Sequence, residues 1–260
     1  MIDVNDPHAI IGTLEHTKLA FAHRADVVAE ITQLCEEAKH YGMATVCVRP
    51  EHVGVARRAL GNRTNVLLAA VVAFPAEPII KAKHEECPVI GACASTTKMQ
   101  EISSTQMEGV EELDIVLNVA FLKTDREVNG DFTLRELKAL RMCAGDMPIK
   151  LILETDLLTD DDIVYTVRIA VDAELDMIKT STGFITDGQG AQVNHIRLIR
   201  KTLDEAGASH MGIKASGGVR TLEDVKALLE AGATRIGTSV GVLIAKEALG
   251  ESVEQTASTY

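Results

Sequence analysis

The chain has no tryptophan, and aromatic residues make up only 3% of its 260 positions. Its 26 Lys and Arg are outnumbered by 38 Asp and Glu, for a net charge of −12. A nucleic-acid surface needs basic stripes and stacking rings, so a DNA or RNA partner is excluded first. Cysteine is sparse and odd in number, at five, which fits reduced thiols in a cytoplasmic protein better than a disulfide framework. Long hydrophobic runs are also missing. The longest, Val66 to Phe74, is ended by Pro75 and falls far short of the roughly 18 residues of a membrane span, so no membrane role is expected. The opening segment, Met1 to Pro7, lacks the basic start and apolar stretch of a signal peptide. No Ser-rich or Pro-rich linker divides the chain, which reads as one domain over residues 1–260.

What is present is a repeat of short apolar runs alternating with stretches of helical periodicity. The strand candidates are Ile10–Leu14, Ala44–Val48, Val66–Phe74, Leu113–Asn118, Ile149–Glu154, Asp176–Thr180, Met211–Ala215 and Arg235–Ser239. A helix candidate follows each. Thr159 and Thr221 stand before acidic first turns, where a hydroxyl caps the free amides and carboxylates meet the positive helix end. Eight βα units in this length predict a closed (β/α)8 barrel. A doubly wound sheet is the alternative, but no dinucleotide-type glycine fingerprint follows the first strand.

In such a barrel the chemistry lies at the C-terminal ends of the strands. Asp114, Lys179 and Lys214 are charged residues set inside apolar strand runs, where an unpaired charge costs several kcal/mol. A single one reads rather as an ion pair, or as a lysine whose stem packs while its head reaches water, than as a catalytic group. Two lysines on consecutive strands can instead share a cavity, and mutual repulsion plus desolvation would leave one amine neutral and nucleophilic. Asp114 could then move protons. Small residues crowd the last loops, at Thr180–Gly183, Ser216–Gly218 and Gly237–Ser239, and Arg220 adds a cation; this is where barrels bind phosphate.

The segments Leu175–Phe184 and Gly212–Thr221 resemble the two lysine strands of the deoxyribose-phosphate aldolases. Glu112–Val116, Phe74-Pro75, Cys47–Pro50 and Arg235–Ser239 are similar to the family's other strand endings, in the same order along nearly the whole chain. The resemblance implies a cofactor-free, metal-independent class I aldolase that reversibly cleaves 2-deoxyribose 5-phosphate into acetaldehyde and glyceraldehyde 3-phosphate. It further implies Lys179 as the Schiff-base nucleophile, Lys214 as the second lysine that lowers its pKa, and Asp114 as the proton relay. Gly183, Gly217, Gly218, Gly237 and Ser239, with Arg220 nearby, would hold phosphate, while Glu15, Thr17 and Thr182 would face the substrate.

Three features depart from the family pattern. Glu15 stands where Asp is usual, Val240 follows Ser239 where a second Ser is usual, and an insertion occupies about residues 76–95 at the mouth of the site. They motivate a related aldolase on another aldehyde or sugar as the alternative activity. A catalytically silent sugar-phosphate-binding barrel is a further alternative, disfavoured because a binding module gains nothing from paired lysines. A metal-dependent enzyme on the same barrel would have His16 as its obvious ligand. The insertion carries His84, Cys87 and Cys93, which invite a zinc reading without an evident fourth ligand. Cys47 faces the site if its strand parity holds, and Lys150 and Glu154 share a strand face as a candidate pair. The tail 251–260 reads as flexible, with Tyr260 as a candidate proton carrier. A homodimer is the expected assembly.

Overall fold

The computed structural model describes residues 2–22, 26–80 and 90–252. Its strands are β1 (Leu14–Thr17), β2 (Thr45–Val48), β3 (Leu67–Val72), β4 (Glu112–Val116), β5 (Ile149–Ile152), β6 (Met177–Lys179), β7 (Gly212–Ser216) and β8 (Arg235–Thr238). All pair in parallel in chain order, and β8 closes on β1 to complete a (β/α)8 barrel. The helices are α1 (Pro7–Ile11), α2 (Val27–Tyr41), α3 (Val53–Leu60), α4 (Ser95–Met107), α5 (Val119–Val128), α6 (Phe132–Ala144), α7 (Asp160–Asp172), α8 (Val193–Glu205), α9 (Leu222–Glu230) and α10 (Gly241–Leu249). Thr159 and Thr221 close full capping boxes with Asp162 and Asp224, as their sequence context predicts.

The first strand lies later than the apolar run Ile10–Leu14 suggests. Asp6 accepts the His8 amide and Pro7 occupies the first helical turn, so the run begins as α1, whose Ile10 and Ile11 are buried. The strand that follows is Leu14-Glu15-His16-Thr17, three of them polar. A second difference is α5. Asn118 caps it by accepting the Phe121 amide, and Asn129 ends it in a left-handed conformation, so the stretch directly after β4 is helical.

The strands face two environments. Outward residues such as Val46, Leu68, Leu113, Ile115 and Ile213 join the main apolar core beneath the helices. The register brings Glu15 opposite Thr45 and Gly237, Asp114 opposite Val71 and Lys150, Lys179 opposite Lys214, and Lys214 opposite Arg235. With a side-chain period of two, these positions line the interior. There the apolar part shrinks to Leu19, Cys47, Ala69 and Val71, with Phe74 and Phe184 packed against them.

Candidate active site

The barrel interior holds a continuous ion cluster. Asp114 on β4 is its hub: Oδ1 accepts from Lys150 Nζ at 2.9 Å, and Oδ2 accepts from both Lys179 at 2.7 Å and Lys214 at 2.6 Å. Lys150 also donates to Glu112 at 2.7 Å and lies 3.1 Å from Glu15. Lys214 bonds Glu15 Oε1, and Arg235 reaches Glu15 at 3.4 Å and Glu112 at 3.2 Å. Among the described residues, four cations, Lys150, Lys179, Lys214 and Arg235, therefore meet three carboxylates, Glu15, Glu112 and Asp114.

The extra cation sits in a setting where every lysine and carboxylate of the cluster is buried and Arg235 is partly so. Burial pushes the Asp114 carboxyl up, but Lys150 and Lys179 outweigh it and hold it below the usual range; Lys150 and Arg235 do the same for Glu112. Burial pulls Lys150 down, and Asp114 and Glu112 more than restore it. Lys214 yields: burial, and then the charge of Arg235, draw it well below the ordinary lysine range. Its stem also needs room. A Cβ on Gly237 would crowd Ser216 Oγ and stand 2.8 Å from Lys214 Cε, so a larger residue there would force one of those side chains to move.

Lys179 and Lys214 differ in their ties. Among the described residues, Lys214 is held by two carboxylates and Lys179 by Asp114, at the C-terminal end of β6 where the barrel opens. The two nitrogens share one oxygen, so a proton can pass from Lys179 through Asp114 to Lys214. The arrangement can thus present a neutral amine beside a proton-accepting pair.

The loops bring further expected residues to the same rim. Gly183, Gly217 and Gly218 all have positive φ, at 78°, 87° and 73°, and Gly183 and Gly217 pack backbone to backbone. Ser239 is exposed just beyond β8, and α10 begins after Val240 with no side-chain cap on its first amides. Arg220 is exposed, its backbone amide donating to Asp224. Thr17 ends β1, its hydroxyl donating to the Glu15 carbonyl at 3.2 Å. Thr182 is buried and paired with Glu154 through both hydroxyl and amide. Burial pushes the Glu154 carboxyl up to about 7.

Several residues go elsewhere. Glu15 is fully buried among cations. Lys150 and Glu154 do not pair: Lys150 joins Asp114 inside, whereas Glu154 lies past the end of β5 with a φ of 59°, where strand alternation no longer applies. His16 points away from the cluster to Glu37 at 2.9 Å. Cys47 does face inward, 4.0 Å from Asp114 Oδ2, and burial raises its thiol to about 12. His84, Cys87 and Tyr260 lie outside the described residues; Cys93 is half-buried. Among the described residues, Glu15, Cys47 and Asp114 bring possible metal-ligand atoms within 4.8 Å of one another, but ammonium groups already bond both carboxylates. No helix there is long and apolar enough to cross a membrane.

Three cluster members carried no role in the sequence reading: Lys150 beyond its supposed pairing, Glu112 and Arg235. Spacing marks them, since Glu112 and Asp114 share a strand face, as do Arg235 and Gly237, and Lys150 interrupts β5 as Lys179 ends β6.

Residues 12–249 match the family model described as DeoC/LacD family aldolase. The chain is 41% identical over 236 residues to the deoxyribose-phosphate aldolase of Streptococcus equi subsp. zooepidemicus, covering 90% of this chain and 94% of that one. It is also 41% identical over 225 residues to the deoxyribose-phosphate aldolase of Macrococcus caseolyticus, covering 86% and 91%. Among solved structures, it superposes on an aldolase called QR15 with a TM-score of 0.78 and 31% identity, covering 93% and 96%.

Proposed function

The chain belongs to the DeoC/LacD aldolase family, and we propose that its reaction is the reversible cleavage of 2-deoxyribose 5-phosphate through a Schiff base on Lys179. The observation that carries this reading is the sharing of Asp114 Oδ2 by Lys179 and Lys214 in a buried cluster with one cation to spare.

Lys179 passes a proton through Asp114 to Lys214 and attacks the open-chain aldehyde carbon as a neutral amine. The carbinolamine takes up a proton on its oxygen and loses water, leaving an iminium. The bond between the second and third sugar carbons then breaks as the hydroxyl on the third carbon gives up its proton. Glyceraldehyde 3-phosphate leaves, and the bond's electron pair remains as an enamine on Lys179. A proton returned to the enamine carbon and addition of water release acetaldehyde and restore the amine. Asp114 and Lys214 form the proton relay for these transfers. Backbone amides at Gly183, Gly217 and Gly218, the Ser239 hydroxyl and the uncapped start of α10 suit the phosphate, with Arg220 at the edge.

One observation favours a second reading, a Schiff-base aldolase on a different acceptor: Glu15 is committed to Lys214, Lys150 and Arg235 rather than left free for a substrate hydroxyl. Incubation with 2-deoxyribose 5-phosphate or with acetaldehyde, then sodium borohydride and peptide mass spectrometry, separates the two. An adduct on Lys179 from both supports the first reading. An adduct from acetaldehyde alone supports the second, and none from either overturns both.

A further inference from the structure

The segment after β3 does not stay on its own side of the barrel. Ile79 N–H donates to the Phe184 carbonyl at 2.7 Å and Thr186 N–H donates to the Ile79 carbonyl at 3.0 Å, which pairs Ile79 with Ile185 in the loop after β6. In the closed sheet β4 and β5 lie between β3 and β6, so residues 74–79 run across the mouth.

Arg49, just past β2, fastens this strap. Its Nη2 donates to the carbonyls of Pro75 and Ala76 at 2.9 and 3.3 Å, and its Nε to the Leu19 carbonyl at 2.6 Å. The guanidinium also lies 5.5 and 5.7 Å from the ring centroids of Phe74 and Phe184, within cation–π range. Those rings meet edge to face, 4.8 Å apart. One planar fork therefore ties the segments after β1, β2 and β3 to a ring carried by the loop after β6. From the other side, Phe184 is held by its amide, which donates to Thr182 Oγ1 at 3.0 Å.

Beneath the rings lie Leu19, Cys47, Ala69 and Val71, the apolar part of the interior. Cys47 is 4.0 Å from the Asp114 oxygen that also accepts from Lys179. The roofed apolar cluster thus adjoins the amine that would carry a donor aldehyde.

We propose that Arg49 is a specificity-determining residue: by pinning residues 74–79 over the mouth it closes the apolar compartment beside Lys179 and restricts the donor aldehyde to a short chain. The inference rests on the Schiff-base reading of Lys179, and Arg49 acts as a positioning residue through Phe74 and Phe184. Its atoms touch carbonyls and rings, so its loss shifts chain-length preference rather than the chemistry at Lys179.

The test compares the native protein with Arg49→Ala and with Ile79→Pro, which removes the bridging amide without touching Arg49. Borohydride trapping measures the ratio of propanal to acetaldehyde adduct on Lys179. Both variants should raise that ratio about tenfold, the low end of the discrimination an apolar pocket achieves over one methylene, and Arg49→Lys, which keeps the charge without the fork, should fall between. An unchanged ratio with normal acetaldehyde adduct overturns the roof and leaves the Schiff base standing; no adduct from any aldehyde in the native protein overturns the Schiff-base reading. A second measurement is independent of activity. Methyl methanethiosulfonate should label Cys47 faster in Arg49→Ala, and an equal rate overturns the roof by itself.

Discussion

Among the described residues lysine is buried in two places, and the two are partnered differently. Between α4 and α6, Lys98 donates to Glu136 at 2.9 Å and to the Val116 carbonyl at 2.9 Å, and the other Glu136 oxygen accepts from Ser95 at 2.8 Å. One cation meets one carboxylate, and the remaining hydrogen-bonding capacity is spent on neighbours. Inside the barrel, lysines of equal burial crowd onto Asp114 with more positive than negative groups. Burial alone therefore does not set a lysine's surroundings: one carboxylate for one lysine makes a structural joint, whereas in the crowded cluster burial and the charge of Arg235 draw Lys214 well below the ordinary lysine range.

Deleting one lysine from each cluster should give opposite results. Lys179→Ala should abolish borohydride-trapped adduct and lower sugar-phosphate cleavage on the order of 10^4-fold or more, as removal of a nucleophile does. Because it removes the excess cation, its urea midpoint should match or exceed that of the native protein. Lys98→Met should leave turnover per folded molecule intact but cost about 3–5 kcal/mol in urea unfolding, since it strands Glu136. Adding Glu136→Leu should recover most of that loss, and a double variant as unstable as the single one would show that the pair is more than a matched joint.

Glu154 sharpens the comparison as a buried ionisable group held chiefly by Thr182. Burial raises its carboxyl from 4.5 to about 7 in the folded protein. The folded state then holds the proton more tightly than the unfolded one, so this contribution to stability is complete below 4.5 and is lost as pH rises through 7. The native protein should lose up to roughly 3 kcal/mol between pH 5 and pH 8 from this group. Glu154→Gln should be flatter over that window, and parallel urea curves for the two proteins would remove Glu154 as the source.

The sequence was most readable where charge interrupts an apolar strand. Asp114 and Lys214 stand out because their neighbours belong to the core under the helices, and the structure brings them together with Lys179. The same logic hid β1. Glu15 faces the charged interior and His16 pairs with Glu37, so the strand reads as polar while the apolar residues before it form a capped helix. Glu112 and Arg235 were missed for a positional reason: they begin their strands, and attention falls on strand ends. Helix α5 was hidden because Asn118, its N-cap, reads as the last residue of the strand run Leu113–Asn118. The strap was out of reach because a pairing between Ile79 and Ile185 leaves no local pattern.

The interior cluster also divides along the chain. Its three carboxylates, Glu15, Glu112 and Asp114, come from β1 and β4, while its four cations, Lys150, Lys179, Lys214 and Arg235, come from β5 to β8. Cut between α6 and β5, the chain would yield two half-barrels, each lined with charges of one sign and unable to close around them. Mixed, the halves carry the counterions each other lacks. The barrel is in this sense a heterodimer written as one polypeptide, in which electrostatic recognition between its halves is the same contact that sets up the lysine pair.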